Sequence, residues 1–159
     1  MLENFNNTIY KWLERAIILV VIIEISILFI QIILRYLFGI SYAEISQAGK
    51  YLFVWITFIG VAIGFRKSEH LGAVFLREAI SREKERILLS IIDLILILFW
   101  LMVIFYGYKI TIFSWRQSTP SLKISFGYVY MSIVVGGILS VLFIIENLIK
   151  HIFKRGGEG

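Results

Sequence analysis

The chain of 159 residues has no cysteine, one proline and two histidines. Without cysteine there is no disulfide framework, no iron–sulfur cluster and no thiolate metal site. With one proline and no glycine/serine-rich linker, nothing marks the boundary of a second domain. Charge is also scarce. Asp, Glu, Lys and Arg together make up 17% of the residues, against about 25% in ordinary soluble domains. A chain with so little polar material cannot cover a compact core with a water-facing surface. A disordered or low-complexity chain is excluded too, because such chains are poor in hydrophobic residues.

Hydrophobic residues are abundant, at 59% of the chain with a mean hydropathy of +0.86. Four runs carry them, over about 16–38, 48–65, 87–113 and 128–149. Each is near the roughly 20 apolar residues needed to cross a ~30 Å hydrocarbon core. Inside lipid every backbone polar group must be satisfied within its own segment, which demands helices. The strict alternation of a β-barrel strand is absent. The first run is too long for the apolar core of a signal peptide, and no small-x-small cleavage pattern follows it. The expected fold is all-α. It is a single membrane domain over 1–159, an integral bundle of four transmembrane helices.

Net charge is +5. Eleven Lys and Arg residues fall on one side of the expected spans: Lys11 and Arg15, six in the 66–86 loop, and Lys150, Lys154 and Arg155. Five fall on the other: Arg35, Lys50, Lys109, Arg116 and Lys123. This bias predicts cytoplasmic termini and a cytoplasmic 66–86 loop, and it accounts for the basic balance without nucleic acid. Within that loop Ser68 and Ser81 are candidate N-caps, and Glu69, Glu83 and Glu85 fit first turns. Leu71, Val74, Phe75 and Ala79 form an imperfect apolar stripe, interrupted by Glu78. The expectation is a short amphipathic helix over Ser68–Ile80 lying on the membrane surface, with a solvated loop as the alternative.

Glu24 lies in the middle of the first run, where a charge costs about 2.5–3.5 kcal/mol on insertion scales. Gln31 and Arg35 follow at seven and eleven residues, within roughly 40° of Glu24 on a helix. Such a stripe faces protein or water rather than lipid. It reads as a coupling carboxylate for protons or ions, as a polar contact between helices or subunits, or as a protonated Glu. Asp93 sits a few residues inside the third run, within reach of the interface, and Glu146 and Lys150 form an ordinary i,i+4 pair. Small residues mark close-packing surfaces: Gly60 and Gly64 in the second run, and Ser132, Gly136 and Ser140 in the fourth. The third run is bulky and suits a lipid-facing or groove-filling surface. Both histidines, His70 and His151, fall outside the expected spans, so membrane haem ligation has no donors. No Walker loop, H-E-x-x-H or G-x-S-x-G pattern occurs. No enzyme activity, metal or cofactor is expected.

The order of motifs resembles a known family. Arg35-Tyr36-Leu37-Phe38 follows the first run, and Tyr42 and Glu44 come next. Phe53-Val54-Trp55-Ile56-Thr57-Phe58-Ile59-Gly60 opens the second run. Arg66, Lys67 and His70 close it, and Thr119-Pro120-Ser121-Leu122-Lys123-Ile124 precedes the fourth. Together these resemble the small membrane subunit (DctQ-type) of tripartite ATP-independent periplasmic (TRAP) transporters. The chain departs from that pattern at Tyr42, where Trp is usual, at Ile45, where a second acid is common, and at Ser125 and Val134, where Pro is frequent.

The resemblance implies a subunit of a bacterial inner-membrane system for sodium-driven uptake of organic acids. Its implied partners are a large DctM-type membrane subunit and a periplasmic substrate-binding protein. The role implied is non-catalytic, bracing the large subunit and helping to dock the binding protein. Two other readings stand beside it. One is a small four-helix proton-coupled multidrug exporter using Glu24. The other is a membrane assembly factor.

Overall fold

A computed structural model of the chain describes residues 2–67 and 82–153. It contains four long helices: α1 (Leu2–Phe38), α2 (Ala43–Lys67), α3 (Arg82–Ser114) and α4 (Gly127–Phe153). All four are long and apolar enough to cross a membrane. The fold class is therefore all-α, with four transmembrane helices. The expected surface helix over Ser68–Ile80 lies outside the described residues. Each helix runs beyond its apolar stretch. α1 begins at Leu2, well before Ala16, and brings Asn6, Tyr10 and Glu14 onto one face at i,i+4 spacing.

The helices pack in the order α1–α2–α4–α3. α4 lies against both α3 and α2, and α1 lies mainly against α2. The result is an open row rather than a closed ring. The most buried apolar side chains, Phe143 and Ile144, belong to the central α4. At the edge, only 6% of the most apolar stretch of α1 is buried. Hydropathy cannot set such an order, because lipid and neighbouring helix are equally apolar surroundings. Shape sets it instead.

Two adjacent glycines in α4 serve two neighbours. A Cβ on Gly136 would lie 2.8 Å from the backbone oxygen of Phe58 in α2, and one on Gly137 would lie 2.7 Å from Ile104 in α3. A Cβ on Gly107 of α3 would in turn lie 2.8 Å from Ile133 of α4. Ser132 and Ser140 are fully buried, and each hydroxyl donates to a carbonyl of its own helix, Val129 and Gly136 respectively. Trp100, deep in α3, meets Phe65 of α2 edge-on, with ring centroids 6.1 Å apart.

The ends of the helices have local causes. α1 stops at Gly39, whose φ of 66° is readily adopted only without a Cβ, and the Ile40 N–H then donates to the Leu34 carbonyl. α4 starts behind Ser125. Its hydroxyl accepts the Gly127 N–H at 3.0 Å and donates to the Trp115 carbonyl at 2.7 Å. One side chain thus caps α4 and ties off the end of α3. This gives the serine at a position where the resemblance leads one to expect proline a physical role.

Candidate functional site

Polar side chains gather at the two ends of the row. The start of α1 and the end of α4 lie at one end, the termini end, and the segments joining α1 to α2 and α3 to α4 lie at the other. At the termini end Glu146 of α4 is buried and serves three partners. Arg66 of α2 approaches at 2.9 Å, Lys150 at 2.8 Å, and Asn6 of α1 donates its amide N–H at 2.8 Å. Asn7 accepts from Arg66 at 3.3 Å. Glu14 pairs with Lys67 at 3.2 Å and accepts the Tyr10 hydroxyl at 2.6 Å. One carboxylate thereby ties α1, α2 and α4 together.

The same end shows two helix termini satisfied by side chains of other helices. The last carbonyls of a helix lack partners within it. Asn147 of α4 donates at 2.7 Å to the Phe65 carbonyl near the end of α2. Arg86 of α3 donates to the carbonyls of His151 and Ile152 near the end of α4. Asp93 of α3, only 1% exposed, lies 2.8 Å from the Nδ1 of His151.

At the loop end Gln47 of α2 is the joint. Its side-chain oxygen accepts the N–H groups of Ser121 and Leu122, both at 3.1 Å, and its amide donates to the Tyr51 hydroxyl at 2.7 Å. The Trp55 indole N–H donates to the Tyr128 carbonyl at 3.2 Å, joining α2 to α4. The loop closes on Thr119, whose hydroxyl accepts the Ile124 N–H and whose own N–H donates to the Ile124 carbonyl. Lys123 takes the left-handed conformation there, with φ 53°.

The residues singled out in the sequence are distributed unevenly. Glu24 is 6% exposed, Gln31 is half-buried and Arg35 is exposed, so the stripe passes from the packed side of α1 to its open end. Among the described residues the Glu24 carboxylate has no hydrogen bond or ion pair. Tyr36, Tyr42, Glu44 and Pro120 are exposed. A Cβ on Gly60 would make an ordinary contact with Ile17 of α1 at 3.7 Å, and one on Gly64 would meet nothing within 4 Å among the described residues. The close approach lies at Gly136, flanked by Ser132 and Ser140. His70 lies outside the described residues.

Three sequence readings change in the structure. His151 lies within α4 rather than beyond it, because that helix continues to Phe153. Asp93, expected within reach of the interface, is buried and lies against His151 near the end of α4. Glu146 is an interhelical hub rather than a simple i,i+4 partner. Asn6, Gln47, Arg86 and Asn147 were not singled out in the sequence. The available signal was a lone amide or cation at the edge of each apolar run. Among the described residues no three His, Asp or Glu side chains converge on a possible metal position.

These bonds join helices at both ends and leave the broad faces between them apolar. Comparison with known proteins assigns the architecture. Two proteins of Haemophilus influenzae (strain ATCC 51907 / DSM 11121 / KW20 / Rd) are similar along nearly their whole length, and both are named as TRAP transporter small permease proteins. The first is 24% identical over 153 residues, covering 96% of this chain and 95% of its own. The second is 21% identical over 154 residues, covering 94% and 93%. The family model described as "Tripartite ATP-independent periplasmic transporters, DctQ component" matches residues 24–154. The chain, a multi-pass membrane protein, therefore belongs to the DctQ family of TRAP transporter small permease subunits.

Proposed function

We propose that the chain is a non-catalytic brace in a sodium-driven TRAP system for organic acid uptake. On this reading it holds a large DctM-type subunit in the bacterial inner membrane and helps to dock the periplasmic binding protein. The termini end is cytoplasmic, in keeping with its excess of Lys and Arg. The observation that carries the proposal is the state of α1. This helix of 37 residues packs mainly on α2 and ends in exposed Arg35, Tyr36, Leu37 and Phe38. Those four residues belong to the pattern shared with the family, yet they do not build the packed interior of this chain. An open row also presents long apolar faces to a membrane partner, while Glu146, Gln47, Asn147 and Arg86 are engaged in bonds to other segments of the chain. The outer segments around Tyr42–Glu44 and Thr119–Ile124, the latter bonded to Gln47 of α2, carry exposed residues suited to docking. The exporter reading gains nothing from the family match or from the two relatives.

The test is co-expression with a DctM-type subunit and its binding protein, followed by purification and reconstitution. The expected outcome is a stable complex whose carboxylate uptake requires both an inward sodium gradient and this chain. Glu24→Gln keeps that uptake within about twofold of the parent. Failure of the two membrane subunits to co-purify defeats the bracing role. Loss of all uptake in Glu24→Gln with an intact complex restores a coupling role for that carboxylate.

A further inference from the structure

An open groove of about 510 Å³ runs between α3 and α4 at the termini end, lined by Arg86, Ile87, Ile91, Leu94, Leu148 and Ile152 among others. Its mouth carries a cation. A guanidinium has five N–H donors. The Nε and Nη2 of Arg86 bond the His151 and Ile152 carbonyls, and among the described residues Nη1 has no partner. Those partners are neutral, so the positive charge of Arg86 is uncompensated by any carboxylate among the described residues. The nearby acids are committed elsewhere. Asp93 holds His151, and Glu85 is buried and itself bonded. Lys84, two residues before Arg86, is exposed and adds charge of the same sign.

Below the mouth the lining is aliphatic apart from Ser90, whose hydroxyl donates to the Arg86 carbonyl at 2.9 Å. Ile87, Ile91 and Leu94 are all exposed along one side of α3. From Arg86 to Leu94 the groove descends about 12 Å along the helix axis. Arg86 immediately precedes the apolar run, so it sits at headgroup depth, with the aliphatic trough reaching into hydrocarbon. A fixed cation above an apolar trough matches one kind of occupant, an amphiphile with an anionic head.

We propose that this groove binds an anionic phospholipid, its phosphodiester on Nη1 of Arg86 and one acyl chain along Ile87, Ile91 and Leu94. Basic pockets between transmembrane helices on the cytoplasmic side recognise lipid head groups in this way. The leaflet of origin rests on the cytoplasmic orientation proposed above. The binding itself does not.

The test uses the full-length chain in mild detergent, titrated with phosphatidylglycerol or phosphatidylcholine and read by native mass spectrometry. The expected result is at least tenfold tighter binding of phosphatidylglycerol. Arg86→Gln removes the head-group contact, and Ile91→Trp fills the trough from an exposed position. Each lowers phosphatidylglycerol binding at least fivefold, and Ile91→Trp does so with an unchanged melting temperature. Equal binding of the two lipids overturns the proposal, as does full phosphatidylglycerol binding by Ile91→Trp. Detergent solution has no sidedness and no large subunit is present, so failure here is distinct from failure of the transporter reading.

Discussion

Glu146 shows how much one side chain can carry. It gathers Arg66, Lys150 and Asn6 from three helices, and the Arg66 side chain is only 11% exposed. Removing one partner of a buried pair leaves the other charge uncompensated, at about 3–5 kcal/mol. Glu146→Ala should destabilise the chain by that amount in a detergent unfolding equilibrium. The double variant Glu146→Gln with Arg66→Gln should cost less than the sum of its two single changes, since the two residues are coupled. A Glu146→Ala chain that unfolds like the parent refutes the hub. At this scale the sequence was partly legible. Glu146 and Lys150 were visible as an i,i+4 pair because helix periodicity is local. Asn6 and Arg66 were not, because nothing local says which helix lies next to α4. Gln47 was hidden for the same reason, since its partners are 74 and 75 residues away.

Among the elements, α4 is the spine, and its adjacent glycines decide how its neighbours approach. Gly136→Leu would push a side chain against the Phe58 backbone, which cannot yield as a flexible side chain does. Overpacking costs roughly 1–3 kcal/mol, so Gly136→Leu should lower the melting temperature markedly. Gly64→Leu enters open space and should stay within about ±0.5 kcal/mol of the parent. Equal thermal shifts in the two variants would show that the α2–α4 contact is misassigned. The G-x-x-x-G spacing in α2 and the small-residue spacing in α4 look alike in the sequence. They differ in the structure because Gly136 faces a helix, whereas Gly64 faces none. The existence and type of all four elements were legible from run length alone. The extent of α1 was not, since its first turns are polar and are held by partners on α2 and α4.

For the whole molecule, the open order α1–α2–α4–α3 leaves α1 as a long, thinly held edge. If that edge is partner surface, changing its exposed residues should weaken assembly without weakening this chain. Tyr36 is 80% exposed. Tyr36→Ala combined with Phe38→Ala should leave the melting temperature of the isolated subunit unchanged and reduce recovery of a co-expressed large subunit several-fold. An unchanged yield of complex would move the partner surface away from this edge. The sequence by itself determined that the chain is a four-helix membrane protein. Its apolar runs have spanning length, and lipid forces each to close its own hydrogen bonds. The sequence also carried the motif order of the DctQ family. Only the tertiary structure decided which helix lies beside which, that polar side chains tie the row at both ends, and that Arg86 has no carboxylate partner among the described residues above its groove. In lipid, every apolar face is as good as another by hydropathy. Neighbours are chosen by shape and by bonds between residues far apart in the chain, and neither is written in local sequence.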